Sequence, residues 1–295
     1  MRTVVTGGAG FIGSNLVDAL IERGDEVVVV DNFATGKREQ LNPQARLLEH
    51  DIREPYEAAA DVVFHLAAQA DVQTSMKRPE YDAAVNVVGT VNVLQASPGA
   101  QVIFASSGGA GYGECPVPAN EDAPFLPLSP YGIAKKCGEE YLLGWNRIHG
   151  TSHVPLRFAN VYGPRQDAGL EGGVVAIFIE RLARGEGTTI YGDGGQSRDF
   201  VYVDDVVAAL LATVGQTGGP YNVGTGEATT VLQLHDACAR VAAVEAKPRI
   251  EDARIGDVQR SVLDAALIER ELGWRAQVTL DEGLRRTWAW MKNGT

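Results

Sequence analysis

The sequence predicts an α/β fold, a doubly wound parallel sheet carrying a smaller interleaved α/β substrate lobe. Three observations predict it. Short runs of β-branched residues alternate with longer stretches of helical periodicity. A glycine-rich segment, Gly7–Gly13, joins the first such run to the first helix. The 295 residues are enough for a large core and two lobes.

The elements follow in order. Strand one is Thr3–Thr6, and a helix runs from Phe11 to Arg23. Strand two is Glu26–Val30; strands three and four are read at Arg46–Leu48 and Asp61–Phe64. A long helix is expected from Pro79 to Gln95, then strand five at Gln101–Ala105. The next helix is expected from Ser129 to Arg147, with Ser129 as N-cap and Pro130 in its first turn. Strand six is Ser152–Arg157. Beyond Asn160 glycine and proline become frequent and strands shorten. Residues 1–160 are therefore read as a nucleotide-binding domain of Rossmann type. Residues 161–295 are read as the substrate lobe, with segments returning to the first domain.

Composition narrows the function classes. With 26 basic and 38 acidic residues the chain carries a formal charge of −12, which argues against nucleic acid and anionic membranes as partners. Basic residues inside motifs then gain weight as anion ligands. Cys115, Cys137 and Cys238 form no CxxC pair and no metal-ligand spacing, so no metal and a reducing, cytoplasmic setting are expected. The chain opens directly into a strand, and no signal peptide or transmembrane run is read.

Gly7, Gly10 and Gly13 have the spacing of a strand-to-helix turn that seats a dinucleotide pyrophosphate. Glycines let the anion approach the backbone, and the helix N-terminus at Phe11 and Ile12 offers free N–H groups. Asp31 ends strand two, where a carboxylate accepts ribose hydroxyls and repels a 2′-phosphate. This favours NAD over NADP, although Lys37 and Arg38 stand close by. Asn32 adjoins it. Asp51 and Ile52 follow strand three and are placed to touch adenine. Leu66, Ala67 and Ala68 end strand four with residues that let a cofactor lie against the chain, and His65 is read as structural. Asn86 is read as a polar residue supporting the cofactor site from the long helix.

Tyr131 and Lys135 are four residues apart on one helix face. Moving a phenol from pKa ~10 to ~7 requires about 4 kcal/mol. An ammonium at ~6 Å with an effective dielectric of ~20 supplies about 3 kcal/mol. The positive ring of an oxidised nicotinamide is the natural source of the rest. Ser107, at the end of strand five, completes the set as a hydrogen-bond partner for the reacting hydroxyl, with Ser106 as its rival.

At these residues the chain resembles the extended short-chain dehydrogenase/reductases, and within them the UDP-sugar epimerases of the UDP-glucose/galactose 4-epimerase type. The resemblance extends through Leu156–Arg165, Gly192–Val201 and Arg254–Asp257. It implies an NAD-dependent isomerase that oxidises a UDP-hexose at C4 and re-reduces it, with Ser107, Tyr131 and Lys135 catalytic. Asn160 would bind the UDP diphosphate. Val174 and Val175 would begin the uridine pocket, with Thr189 and Tyr191 flanking uracil. Arg198 and Arg254 would grip the diphosphate, and Asp257 the ribose. Ser107 and Tyr131 would also touch the sugar. Ser261 occupies a gate position that is bulky in members restricted to glucose and galactose, and its small size implies access for N-acetylated sugars. A UDP-glucuronate epimerase or a related dehydratase or decarboxylase is the alternative. Gly108–Gly109 supply no carboxylates for dehydration, and the stretch from Val174 opens without an arginine that would suit a glucuronate. The family resemblance also implies a homodimer built on the Pro79–Gln95 and Ser129–Arg147 helices.

Overall fold

The computed structural model describes residues 1–169, 173–253 and 258–293. Its centre is a seven-stranded parallel sheet. In chain order it receives β1 (Arg2–Thr6), β2 (Glu26–Asp31), β3 (Arg46–Glu49), β4 (Val62–His65), β5 (Gln101–Ser107) and β6 (Val154–Phe158). A last strand comes from far downstream. Helix α1 (Phe11–Glu22) connects β1 to β2. Because helices cover both faces, the strands are continuous apolar runs rather than alternating ones. Register stacks Val5 beside Val29 on one side and Phe64 on the other, and Phe64 beside Ile103. Phe64, Ile103 and Leu156 are fully buried, each contributing about 1.5–3 kcal/mol of hydrophobic burial.

The expected Pro79–Gln95 helix is a composite. After α2 (Val72–Lys77), α3 (Pro79–Ala83) widens into a π-helical turn at Ala84–Val88 and continues as α4 (Gly89–Ala96). Gly89 belongs there because a Cβ would stand 2.7 Å from the Ile52 side chain. A single helical turn, α5 (Gly108–Gly111), follows β5. Helix α6 (Pro130–His149) starts where expected: the Ser129 side chain accepts from the Gly132 amide at 3.2 Å, and Pro130 opens the first turn. It ends at Gly150 in the left-handed region, φ +66°. Strand β6 begins two residues later than expected, because Asn146 takes the His153 amide away from the sheet at 2.8 Å.

Past β6 the chain builds a second core. Strand β7 (Asn160–Tyr162) leads to α7 (Val174–Ala183), β8 (Thr189–Tyr191), β9 (Ser197–Arg198) and β10 (Phe200–Tyr202). Helix α8 (Val203–Ala212) then packs on α1, and β11 (Tyr221–Val223) returns to the edge of the central sheet beside β6. Strand β12 (Thr229–Thr230), helix α9 (Val231–Ala242), β13 (Arg249–Glu251), β14 (Arg260–Ser261), α10 (Ala266–Leu272) and α11 (Leu280–Asn293) complete the chain. Helix α9 starts with a reciprocal capping box between Thr230 and Gln233. Phe178, Ile179, Ile190 and Leu234 fill this core. The central strands run in the order β3-β2-β1-β4-β5-β6-β11. Their order reverses between β1 and β4, and the crevice outside the carboxyl ends at that switch point is where such sheets take ligands.

Candidate active site

That crevice has a volume of about 430 Å³ and is lined from the glycine turn through Ser107, Tyr131 and Lys135. The turn is folded onto itself. Gly7 has φ +72°, and a Cβ on it would stand 2.7 Å from the Ala67 amide nitrogen. A Cβ on Gly13 would stand 2.1 Å from the Gly7 carbonyl oxygen. Gly10 is the N-cap of α1 and has no side chain to cap it. The first amides of α1 are thus left for an anion. A dinucleotide diphosphate fits this cradle, which tolerates no added carbon at Gly7 or Gly13.

Asp31 closes the other side of the turn. It is 7% exposed and accepts from the Ala9 amide at 2.9 Å and the Phe33 amide at 2.8 Å. A carboxylate has about four acceptor sites, so two remain for ribose hydroxyls. Both neighbouring cations are engaged elsewhere. Lys37 pairs with Asp167 at 2.5 Å, and Arg38 pairs with Glu49 while lying 4.1 Å over the Phe33 ring. Neither is left waiting for a 2′-phosphate. Asn32 donates to Asp51 at 2.9 Å, and the Arg53 guanidinium holds the Asp51 carboxyl well below the usual carboxylate range. Asp51, Ile52, Leu66, Ala67 and Ala68 all line the crevice, as do Phe11 and Ile12.

Asn86 and Val175 stand outside the crevice lining. The Asn86 carboxamide exchanges hydrogen bonds with the Gln69 backbone, both at 2.9 Å, and donates to Asp82, so it holds the wall from behind. Val175 is 2% exposed in the second core, with Val174 packed against that core, so Val175 offers no side chain to a nucleoside.

On the catalytic wall, Tyr131 is half-buried and Lys135 lies one turn further along α6, its Nζ 5.7 Å from the centre of the Tyr131 ring. Lys135 is 4% exposed and donates to the Ala105 carbonyl at 2.8 Å. Burial pushes its amine down to about 8, against the pull of Asp82 and Glu139. His65 is 1% exposed, its ring held between Thr6 and Thr90, and burial with the nearby Lys135 charge drives it down to about 3. It is a neutral structural residue. The two serines separate clearly. Ser106 donates to Glu139, which is locked by three hydrogen bonds from Arg157. Ser107 Oγ accepts from the Ala110 amide at 3.2 Å, and both serines line the crevice.

The substrate side is assembled by backbone register. The Asn160 amide donates to the Asp199 carbonyl at 2.9 Å, and the Asp199 amide to the Ser261 carbonyl at 2.9 Å. Arg198 pairs with Thr229 on one side and Ser261 on the other. A Cβ on Gly109 would stand 3.5 Å from Asn160 Oδ1 and 4.0 Å from both Ser107 Oγ and Ser261 Oγ. Asn160 and Ser261 therefore converge on Ser107. Thr189 and Tyr191 flank the buried Ile190 on β8, and Gln196 donates to the Tyr191 carbonyl at 2.7 Å. Arg254 and Asp257 lie outside the described residues. Thr35, His50 and Tyr81 also line the crevice without belonging to any motif read from the sequence, as does Phe158 from the Leu156–Arg165 stretch.

Comparison with known proteins agrees with this geometry. Residues 3–224 match the NAD dependent epimerase/dehydratase family. The UDP-glucose 4-epimerase of Mycolicibacterium smegmatis is 43% identical over 310 residues, covering 99% of both chains. The crystal structure of Thermotoga maritima UDP-glucose 4-epimerase with UDP-glucose superposes with a TM-score of 0.95 at 44% identity, covering 100% of this chain and 99% of that one. The Thermus thermophilus UDP-glucose 4-epimerase, solved with NAD, gives a TM-score of 0.93 at 40% identity and full coverage of both chains. The chain belongs to the NAD dependent epimerase/dehydratase family.

Proposed function

We propose that the protein is an NAD-dependent 4-epimerase of UDP-hexoses. The observation that carries this reading is the meeting of Ser107, Tyr131 and Lys135 in the same crevice as the glycine turn. The relatives named UDP-glucose 4-epimerase support it.

When bound, NAD supplies the hydride acceptor and donor. The Tyr131 phenolate takes the proton from the sugar 4-hydroxyl, and the Lys135 ammonium stabilises that phenolate. Ser107 hydrogen-bonds the same oxygen. The resulting 4-keto hexose turns while the nucleotide end stays held, and Tyr131 returns the proton. Asn160 and Arg198 serve the diphosphate, and Thr189 and Tyr191 the base. In a chain of charge −12, an arginine of fixed charge is the suitable diphosphate ligand. Binding energy placed on the nucleotide leaves the hexose free to turn.

The test is incubation with UDP-glucose and separation of the product sugars. UDP-galactose is the expected product, and its absence overturns the reading. The half-buried Ser261 beside Ser107 supports acceptance of N-acetylated hexoses. UDP-N-acetylglucosamine in the same assay checks this, and no turnover of it counts against the small gate.

A homodimer is part of the proposal. Helix α6 leaves Ile133, Tyr141 and Ile148 at 51%, 41% and 73% exposure, and Val88 on the π turn is 51% exposed. Sedimentation at two concentrations checks the pairing. The three free cysteines suit the cytoplasm.

A further inference from the structure

Among the buried acids that the mechanism leaves unused, one stands in α3 beside the catalytic helix α6. Asp82, in α3, is 1% exposed. Its Oδ1 accepts from Gln69 Nε2 at 2.8 Å and Asn86 Nδ2 at 3.0 Å, while Oδ2 accepts no hydrogen bond from a described protein group. A buried carboxylate oxygen so placed is costly unless a charge answers it. Helix α3 packs on α6, and the charge within electrostatic reach is Lys135.

Groups from several elements surround Lys135. From β4 comes His65, neutral. From β5 come the Ala105 carbonyl, which accepts from Nζ, and the Phe104 ring, 4.9 Å from Nζ. From α6 itself come Tyr131 and Glu139, and behind Glu139 stands Arg157 of β6. Of the two carboxylates that act on Lys135, Glu139 is already answered by the Arg157 guanidinium and the Ser106 hydroxyl. Asp82 is held by two neutral amides alone. It is therefore the carboxylate whose charge is not spent on another cation.

We propose that Asp82 is a positioning residue for the Tyr131–Lys135 pair: its buried carboxylate holds Lys135 as the ammonium, so that the proton given up by the pair leaves the phenol rather than the amine. Tyr131 lines the crevice, whereas Asp82 is buried and does not line it. Loss of the Asp82 charge acts more strongly on the amine than on the phenol. The singly deprotonated pair then shifts from phenolate–ammonium toward phenol–amine. Burial pushes the Asp82 carboxyl up, and Gln69, Lys135 and Asn86 pull it back down. The same amides that fix its direction thus help to keep it ionised.

The inference rests on the proposed role of Tyr131, and the first readout of its test needs no substrate. Tyrosinate absorbance of the NAD-loaded protein is followed against pH, with the Tyr131→Phe protein subtracted. In the parent protein a full Tyr131 phenolate signal is expected near neutral pH. In Asp82→Asn that neutral signal falls by about half or more, and the remainder appears near the ordinary tyrosine range of ~10. The alkaline limb of kcat moves down by about one pH unit. Asp82→Glu, which restores the charge, returns the signal toward the parent. Asp82→Ser keeps an acceptor for Gln69 and Asn86 without the charge, and repeats the loss if the asparagine variant does not fold. A full neutral phenolate signal in either neutral variant overturns the proposal. So does a uniform drop in kcat with unmoved limbs. If no UDP-sugar is turned over while the phenolate still responds to Asp82, the substrate reading fails and this one stands.

Discussion

The cofactor crevice and the proposed substrate side differ in what they offer a ligand. On the β1–α1 wall the ligand meets backbone: amides at a helix start and a turn so tight that Gly7 and Gly13 have no room for a methyl group. On the proposed substrate side, β7, β8 and β9, strands of two or three residues, carry the side chains proposed to hold the nucleotide, Asn160, Thr189, Tyr191 and Arg198. A backbone site is rigid and suits a cofactor that remains in place. A side-chain site grips a charged nucleotide while leaving the attached sugar free to turn. Between the walls, α6 carries the phenol that serves both.

The sharpest break of this comparison is at the shared residue. Tyr131→Phe is expected to lower kcat by 10³-fold or more, the upper range for loss of a general base, while titration calorimetry still shows NAD and UDP-sugar binding. Retention of near-parent turnover removes Tyr131 from the mechanism. The backbone wall comes next. Gly13→Ala places a carbon 2.1 Å from the Gly7 carbonyl oxygen and is expected to weaken NAD binding by about 10²-fold, equivalent to ~2.7 kcal/mol. Equilibrium dialysis reads it, and unchanged affinity means that the diphosphate is not held by the turn.

The side-chain wall should respond in the opposite sense. Arg198→Ala is expected to raise KM for the UDP-sugar by about 10-fold, the lower range for a charge-assisted hydrogen bond, leaving NAD affinity untouched. Loss of NAD instead would place Arg198 on the wrong wall. The smallest effect lies in the structural polar layer beneath both. Burial sets His65 at about 3 in the folded protein, below the 6.5 of an exposed histidine. The unfolded chain therefore binds the proton more readily between these values. The stability that His65 contributes is full above pH 6.5 and is lost as pH falls toward 3. His65→Gln is expected to flatten the drop in melting temperature from pH 6.5 to 4, leaving the part due to His153, which burial places at about 4. A drop as steep as the parent's shows that His65 does not govern it.

The sequence by itself determined whatever depends on local backbone chemistry. The glycine spacing, the Ser129 cap followed by Pro130, the apolar strand runs and the four-residue interval between Tyr131 and Lys135 are properties of contiguous residues, and they fix turn, helix start, sheet and shared helix face. It also marked Ser107 without separating it from Ser106. Tertiary structure gives them different partners, because those that engage Ser106, Glu139 and Arg157, arrive from two other elements. The π turn that buries Asn86, the burial of Val175 in a second core, the engagement of Lys37 and Arg38, and the burial of Asp82 where α3 packs on α6 were decided in the same way. No local pattern encodes them, since burial and charge pairing depend on which distant segments the sheet brings together.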